Sequence, residues 1–100
     1  MNHTLVQETG STVLRVRGEL DALSCAELRG VLDTLAAQEK CVVIVDLSEL
    51  RLIDSSGVGV MVSLYKRVRA NGGEVRFVGV TAQPLVIFKL LRLDRAFELS

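Results

Sequence analysis

Cys41-Val42-Val43-Ile44-Val45-Asp46-Leu47 is a β-branched, apolar run, and Asp54-Ser55-Ser56-Gly57 stands a short loop beyond it. The first stretch reads as a strand, apolar on both faces and so expected to be covered on both sides. Past Gly57 the period changes. Val58, Met61, Val62, Tyr65 and Val68 recur at helical spacing and define one face of an α-helix. Asp54 and Ser55 therefore fall at or just before a helix N-terminus, where backbone N–H groups lack intrahelical partners and the dipole favours negative charge. Two readings of these residues stand side by side. Asp and Ser are among the best N-cap residues, so the pair serves as a helix cap. The other reading is that a Ser55 hydroxyl with small residues behind it is open to another protein, and a phosphate there adds about −1.5 to −2 charges at a position that tolerates them.

Outward from this stretch, short apolar segments alternate in period. Leu5-Val6-Gln7 and Val13-Leu14-Arg15-Val16-Arg17 read as two strands joined at Gly10-Ser11, and Gly18-Glu19-Leu20-Asp21 breaks the pattern. Ser24 with Glu27 three residues on carries a capping-box signature, and Leu28, Val31, Leu32 and Leu35 form the buried stripe of a first helix. The strand Cys41–Leu47 follows, then the second helix after Ser55, which stops at Asn71-Gly72-Gly73 because glycine takes the left-handed C′ conformation. Glu74–Val80 returns as a strand. Thr81 is placed as the cap of a third helix with Pro84 in its first turn and Leu85, Phe88, Leu91 and Arg92 along one side, and Phe97-Glu98-Leu99 as a short final strand. Strands alternating with helices over short connections predict an α/β fold. The expected sheet is mixed, of four to five strands, with an N-terminal antiparallel hairpin followed by βαβα units. Functional sites of such sheets gather at the strand carboxyl ends, which places Asp54-Ser55 there and the Gly18–Asp21 loop nearby.

Composition narrows the function. One hundred residues, 49% hydrophobic, suit a single domain with one core. Twelve basic residues balance twelve acidic ones, so neither nucleic acid nor a membrane surface is an expected partner, and Lys66, Arg67 and Arg69 read as a solvated helix face. No apolar run reaches the length of a membrane span, and Met1-Asn2-His3-Thr4 lacks the regions of a signal peptide, so a cytoplasmic protein is expected. Cys25 and Cys41 lack metal-site or redox-motif spacing and read as reduced; His3 is the one histidine. A zinc site and a Ser-His-Asp nucleophile both lack material, and no cofactor is implied. Gly57 and Gly59 without a further glycine or a P-loop lysine give little support to a nucleotide-binding enzyme.

Gly18-Glu19-Leu20-Asp21, the strand over 42–47 and Leu52-Ile53-Asp54-Ser55-Ser56-Gly57-Val58-Gly59-Val60 follow in an order that resembles the STAS domain of bacterial anti-sigma factor antagonists. Tyr65-Lys66-Arg67-Val68, Gly72-Gly73-Glu74 and Phe88-Lys89-Leu90 continue the likeness over nearly all of residues 1–100. The resemblance implies a partner switch. The unmodified antagonist binds an anti-sigma factor that is also an ATP-dependent serine kinase, which frees a sigma factor. Phosphorylation on the first serine after the aspartate, here Ser55, ends the binding, and a separate serine phosphatase restores it. The chain is then a substrate and a switch rather than an enzyme. Asp21, Asp54, Ser55, Ser56 and Gly57 are the implied contact residues. The helical wheel adds Val60 and Leu64, which point away from the buried stripe unless a neighbouring helix covers them. STAS domains also serve as subunits of lipid-transporting ABC systems and as stress-signalling scaffolds, with the serine as a cap or a modest contact.

Overall fold

The computed structural model describes residues 2–8 and 10–99. Strands β1 (Asn2–Glu8) and β2 (Ser11–Leu20) form the expected antiparallel hairpin, both longer than their apolar cores. Helix α1 spans Ala22–Ala37, strand β3 Val42–Asp46, strand β4 Leu50–Ile53, helix α2 Ser55–Ala70, strand β5 Glu74–Val78, helix α3 Ala82–Leu90 and helix α4 Leu93–Ala96. The sheet runs β1-β2-β3-β5, with β4 paired to β2. All pairings after the hairpin are parallel, so the sheet is mixed and five-stranded.

β2 serves two partners in turn. Ser11–Arg15 pair with β3, and from Gly18 onward the strand pairs with β4, with a register shift between Gly18 and Glu19. Gly18 sits at φ +85°, a conformation that costs a side-chain-bearing residue strain, and it lets the strand bend from one neighbour to the other. What reads in sequence as a break after Arg17 is this bulge, and the strand continues to Leu20.

Burial alternates along the strands. Leu14, Val16, Val43, Val45, Val75 and Phe77 face the helices, whereas Arg15, Asp46 and Arg76 take the other side. The helix layer therefore covers one face. Val42 and Ile44 are half-buried, so β3 is not enclosed on both sides as its composition suggests. Leu28, Leu32 and Leu35 of α1 and Met61, Leu64 and Val68 of α2 complete the core.

The remaining departures lie at element ends. Asp21, not Ser24, caps α1: Asp21 and Ser24 form the capping box themselves, starting the helix earlier than the Ser24–Glu27 spacing implies. α3 begins after Thr81 as expected, but it ends at Leu90. Leu91 is exposed, and Arg92 takes a left-handed conformation at φ +60°. The C-terminus forms no strand at Phe97–Leu99. Phe97 follows the short α4 and is buried, its ring stacked on Phe77 at 4.2 Å and 5.0 Å from Tyr65. Burying that ring against the sheet turns the chain inward, and Glu98 at φ +56° is not strand backbone. α2 stops where expected, with Asn71 as cap and Gly72 left-handed at φ +79°.

Candidate functional site

Two helices begin side by side. Leu20 pairs with Ile53 across β2 and β4, so Asp21 and Asp54, the next residues, emerge together at the carboxyl ends of parallel strands. Each caps the helix that follows. Asp54 Oδ1 accepts from the Gly57 N–H at 3.0 Å, and the Asp54 N–H donates to the Leu20 carbonyl at 3.1 Å. Asp21 Oδ1 accepts from the Ser24 N–H at 2.9 Å, and the Asp21 N–H donates to Ser24 Oγ at 2.8 Å. The Ser24 N–H, followed by its hydroxyl, holds the Asp21 carboxyl below its ordinary range by stabilising the charged form.

Ser55 and Ser56 are the first two residues of α2, and both are exposed. Gly57 behind them is buried. A Cβ at Gly57 would meet Ile53 Cγ1 at 2.6 Å and the Leu20 carbonyl oxygen at 2.7 Å, so the start of α2 lies directly on the β2–β4 pair. The first turn of α2 carries no acidic residue after its cap, so the Asp54 carboxylate is the one negative charge from α2 and its cap set against the amide end of the dipole there. Gly57 and Gly59 differ in kind, since a Cβ at Gly59 meets nothing within 4 Å. Gly57→Ala is expected to cost about 1–3 kcal/mol through overpacking, a Tm fall of roughly 5–20 °C. Gly59→Ala, at an exposed helical position, is expected to add about 0.5–1 kcal/mol. Thermal melting of the two variants checks both, and a Gly57→Ala protein as stable as the parent would contradict the contact.

Asp21, Asp54, Ser55, Ser56 and Gly57 thus come together, as the sequence suggests. Val60 is half-buried on the rim of the α1–α2 cleft, a space of about 320 Å³ bordered by Cys25, Arg29, Ser56 and Arg67. Leu64 departs from expectation. It is 1% exposed and belongs to the core, because α1 covers the side of α2 that the helical wheel leaves open. Leu64 is not a surface contact.

Cys25, 4% exposed, lies close enough to both caps to feel their charge. Burial, then the Asp54 and Asp21 carboxylates, push its thiol above the usual range, with Arg29 opposing. Both cysteines are free. Among the described residues no group of three or more His, Cys, Asp or Glu could hold a metal ion, and no helix is long and apolar enough to cross a membrane. Arg67 Nη1 meets Asp33 Oδ1 at 2.9 Å, an exposed pair joining α2 to α1, and Lys66 and Arg69 are exposed alongside it.

Sequence reading misses one residue of the site. The Gln83 side chain, from α3, accepts from the Ile53 N–H and donates to the Ile53 carbonyl, immediately before the cap. Nothing local signals this pairing.

The STAS domain family matches residues 3–100. The anti-sigma-B factor antagonist of Listeria monocytogenes is 27% identical over 94 residues, spanning 94% of this chain and 82% of that protein. Among solved structures, an anti-sigma factor antagonist from Mycobacterium paratuberculosis shares the fold with a TM-score of 0.80 at 21% identity, covering 96% of this chain and 81% of that one. The phosphorylated form of the Bacillus cell fate determinant SpoIIAA does so with a TM-score of 0.75 at 22% identity, over 94% and 86%. A family match over nearly the whole length, on a fold with paired helix caps at the strand ends, leads to one conclusion: the chain belongs to the STAS domain family.

Proposed function

We propose that this STAS domain is an anti-sigma factor antagonist switched by phosphorylation of Ser55. In the unmodified form it binds an anti-sigma factor that is also an ATP-dependent serine kinase, and a sigma factor is released. A serine phosphatase reverses the modification, and the exchange takes place in the cytoplasm. The observation that carries this reading is the exposed Ser55 at the first position of α2, beside the Asp54 cap and with buried Gly57 behind it. Antagonists of sigma-B and sigma-F systems stand among the chain's relatives, which supports the same role. The backbone amides of the first turn accommodate a phosphate within the folded domain. At a packed interface the same group brings bulk, desolvation cost and repulsion from Asp54 and Asp21.

Ser55, rather than Ser56, is expected to take the phosphate. Incubation with the cognate kinase and ATP, followed by site mapping by mass spectrometry, tests this; phosphate chiefly on Ser56 overturns it. Ser55→Ala is expected to fold and to retain the kinase persistently.

Asp21 and Asp54 act in recognition as well as in capping. Asn keeps a capping oxygen, so Asp21→Asn and Asp54→Asn are expected to change stability by no more than about 1 kcal/mol while weakening kinase binding about tenfold. Melting temperature and affinity measured on each variant separate the two roles, and unchanged affinity in both removes the aspartates from the contact.

A further inference from the structure

We propose that Gln83 is a positioning residue for the Ser55 loop, an inference that rests on the reading of Ser55 as the switch. The Asp54 N–H donates back to the Leu20 carbonyl, and alternate residues of a parallel strand face opposite edges. The N–H and C=O of Ile53 therefore point away from β2. β2 is the strand partner of β4, and on its other side the Gln83 amide stands where a further strand would be. Gln83 Oε1 accepts from the Ile53 N–H at 2.8 Å, and Nε2 donates to the Ile53 carbonyl at 2.9 Å. A side-chain amide offers a donor and an acceptor side by side, which is what closing both groups of one residue requires. Ile53 is 4% exposed, so either group left open would be buried without a partner.

Ile53 is also the residue on which the loop turns. Its successor caps α2, and its side chain lies against Gly57. Holding the Ile53 backbone thus sets the position of Asp54 and of the first turn that presents Ser55. The bond anchors α3 as well. Thr81 makes no side-chain cap hydrogen bond and Ala82 sits at φ +54°, so the tie to Ile53 fastens the start of α3 from its second residue. α3 and the Ser55 loop are consequently one mechanical unit.

Amide hydrogen exchange on the isolated full chain tests this without any partner. Gln83→Met keeps the length and loses both bonds. The Ile53 and Gly57 amides are expected to exchange at least about tenfold faster than in the parent, with Val43 and Val45 unchanged. A faster Ile53 amide with Gly57 unmoved, or an even rise across the sheet, overturns the proposal. Gln83→Glu gives an independent readout if the Met variant does not fold. A protonated carboxyl can both donate and accept, whereas the ionised form turns an acceptor on the Ile53 carbonyl. The folded state therefore raises that carboxyl above its ordinary value of about 4.3, and protection is present below it and lost as pH rises through the raised value. Ile53 and Gly57 amides that approach parental protection together on acidification support the proposal, and no recovery overturns it. Affinity for the kinase separates this inference from the functional reading. A parent protein that binds no anti-sigma factor kinase retires the switch and leaves the exchange result standing. Equal affinity in the parent and in a Gln83→Met protein with both amides opened overturns the positioning role.

Discussion

Leu64→Glu should abolish folding of this domain. Leu64 is 1% exposed and lies among the apolar residues that α1 and α2 turn toward each other. A carboxylate there has to be buried unpaired or protonated, and a bare buried charge costs several kcal/mol or more. Domains of this size hold only about 5–15 kcal/mol in total. The milder Leu64→Ala removes packing without adding charge, and it is expected to lower stability by about 2–5 kcal/mol. Urea unfolding of the alanine variant and far-UV circular dichroism of the glutamate variant provide the measurements. A glutamate variant that melts within a few degrees of the parent would show that α1 does not cover this position. Val60, one turn earlier and half-buried, is the contrast. Val60→Glu should fold, and any loss of partner binding then belongs to the surface.

Phosphorylation of Ser55 should weaken binding of the anti-sigma factor kinase at least about a hundredfold, or about 3 kcal/mol, while leaving the domain folded. The two halves of this expectation come from the same geometry. Ser55 opens α2, whose first-turn amides suit an anion, so the folded state accepts the group. The modified side chain also sits beside the Asp54 and Asp21 carboxylates on an exposed surface, where about −1.5 to −2 further charges confront any partner packed against it. Ser55→Asp carries less charge and less bulk and should show a partial effect. Calorimetric titration of phosphorylated and unmodified protein with the purified kinase, alongside thermal melts of both, separates binding from stability. An affinity change below threefold would remove Ser55 as the switch. A Tm lowered by more than about 10 °C would instead make release a consequence of unfolding.

Both predictions turn on how helices are covered, and that is where the amino-acid sequence and the tertiary structure contribute differently. Local chemistry is legible in the chain. The β-branched run before Leu47, the change to helical period after Gly57, the left-handed Gly72 and the Asp54 cap all depend on residues within a few positions of one another. The hairpin, the succession α1, β3, α2, β5, α3, and the meeting of Asp21 with Asp54-Ser55-Ser56-Gly57 follow from those elements and from the rule that sites gather at strand ends. β4 escapes such reading because Leu50-Arg51-Leu52-Ile53 is short and buries only its two end residues, which gives no alternation to recognise. The tail at Phe97-Glu98-Leu99 alternates like a strand, yet burying Phe97 against Phe77 and Phe88 turns it aside.

Leu64 and Gln83 belong wholly to the tertiary structure. A helical wheel shows which side of α2 is apolar, but whether the flank bearing Leu64 meets water or α1 depends on how two helices pack, and periodicity within one of them carries no trace of it. Gln83 is an ordinary polar residue in its own helix, and its partner at Ile53 is brought to it only when α3 packs along the open side of β4. The sequence by itself determined the hairpin, the helices α1 to α3 with the strands β3 and β5 between them, and the serine at the helix start, because those rest on propensity, capping and period. The packing of α1 over α2 and of α3 against β4 decided what is core, what is surface and what holds the loop in place, because burial is a property of two surfaces meeting.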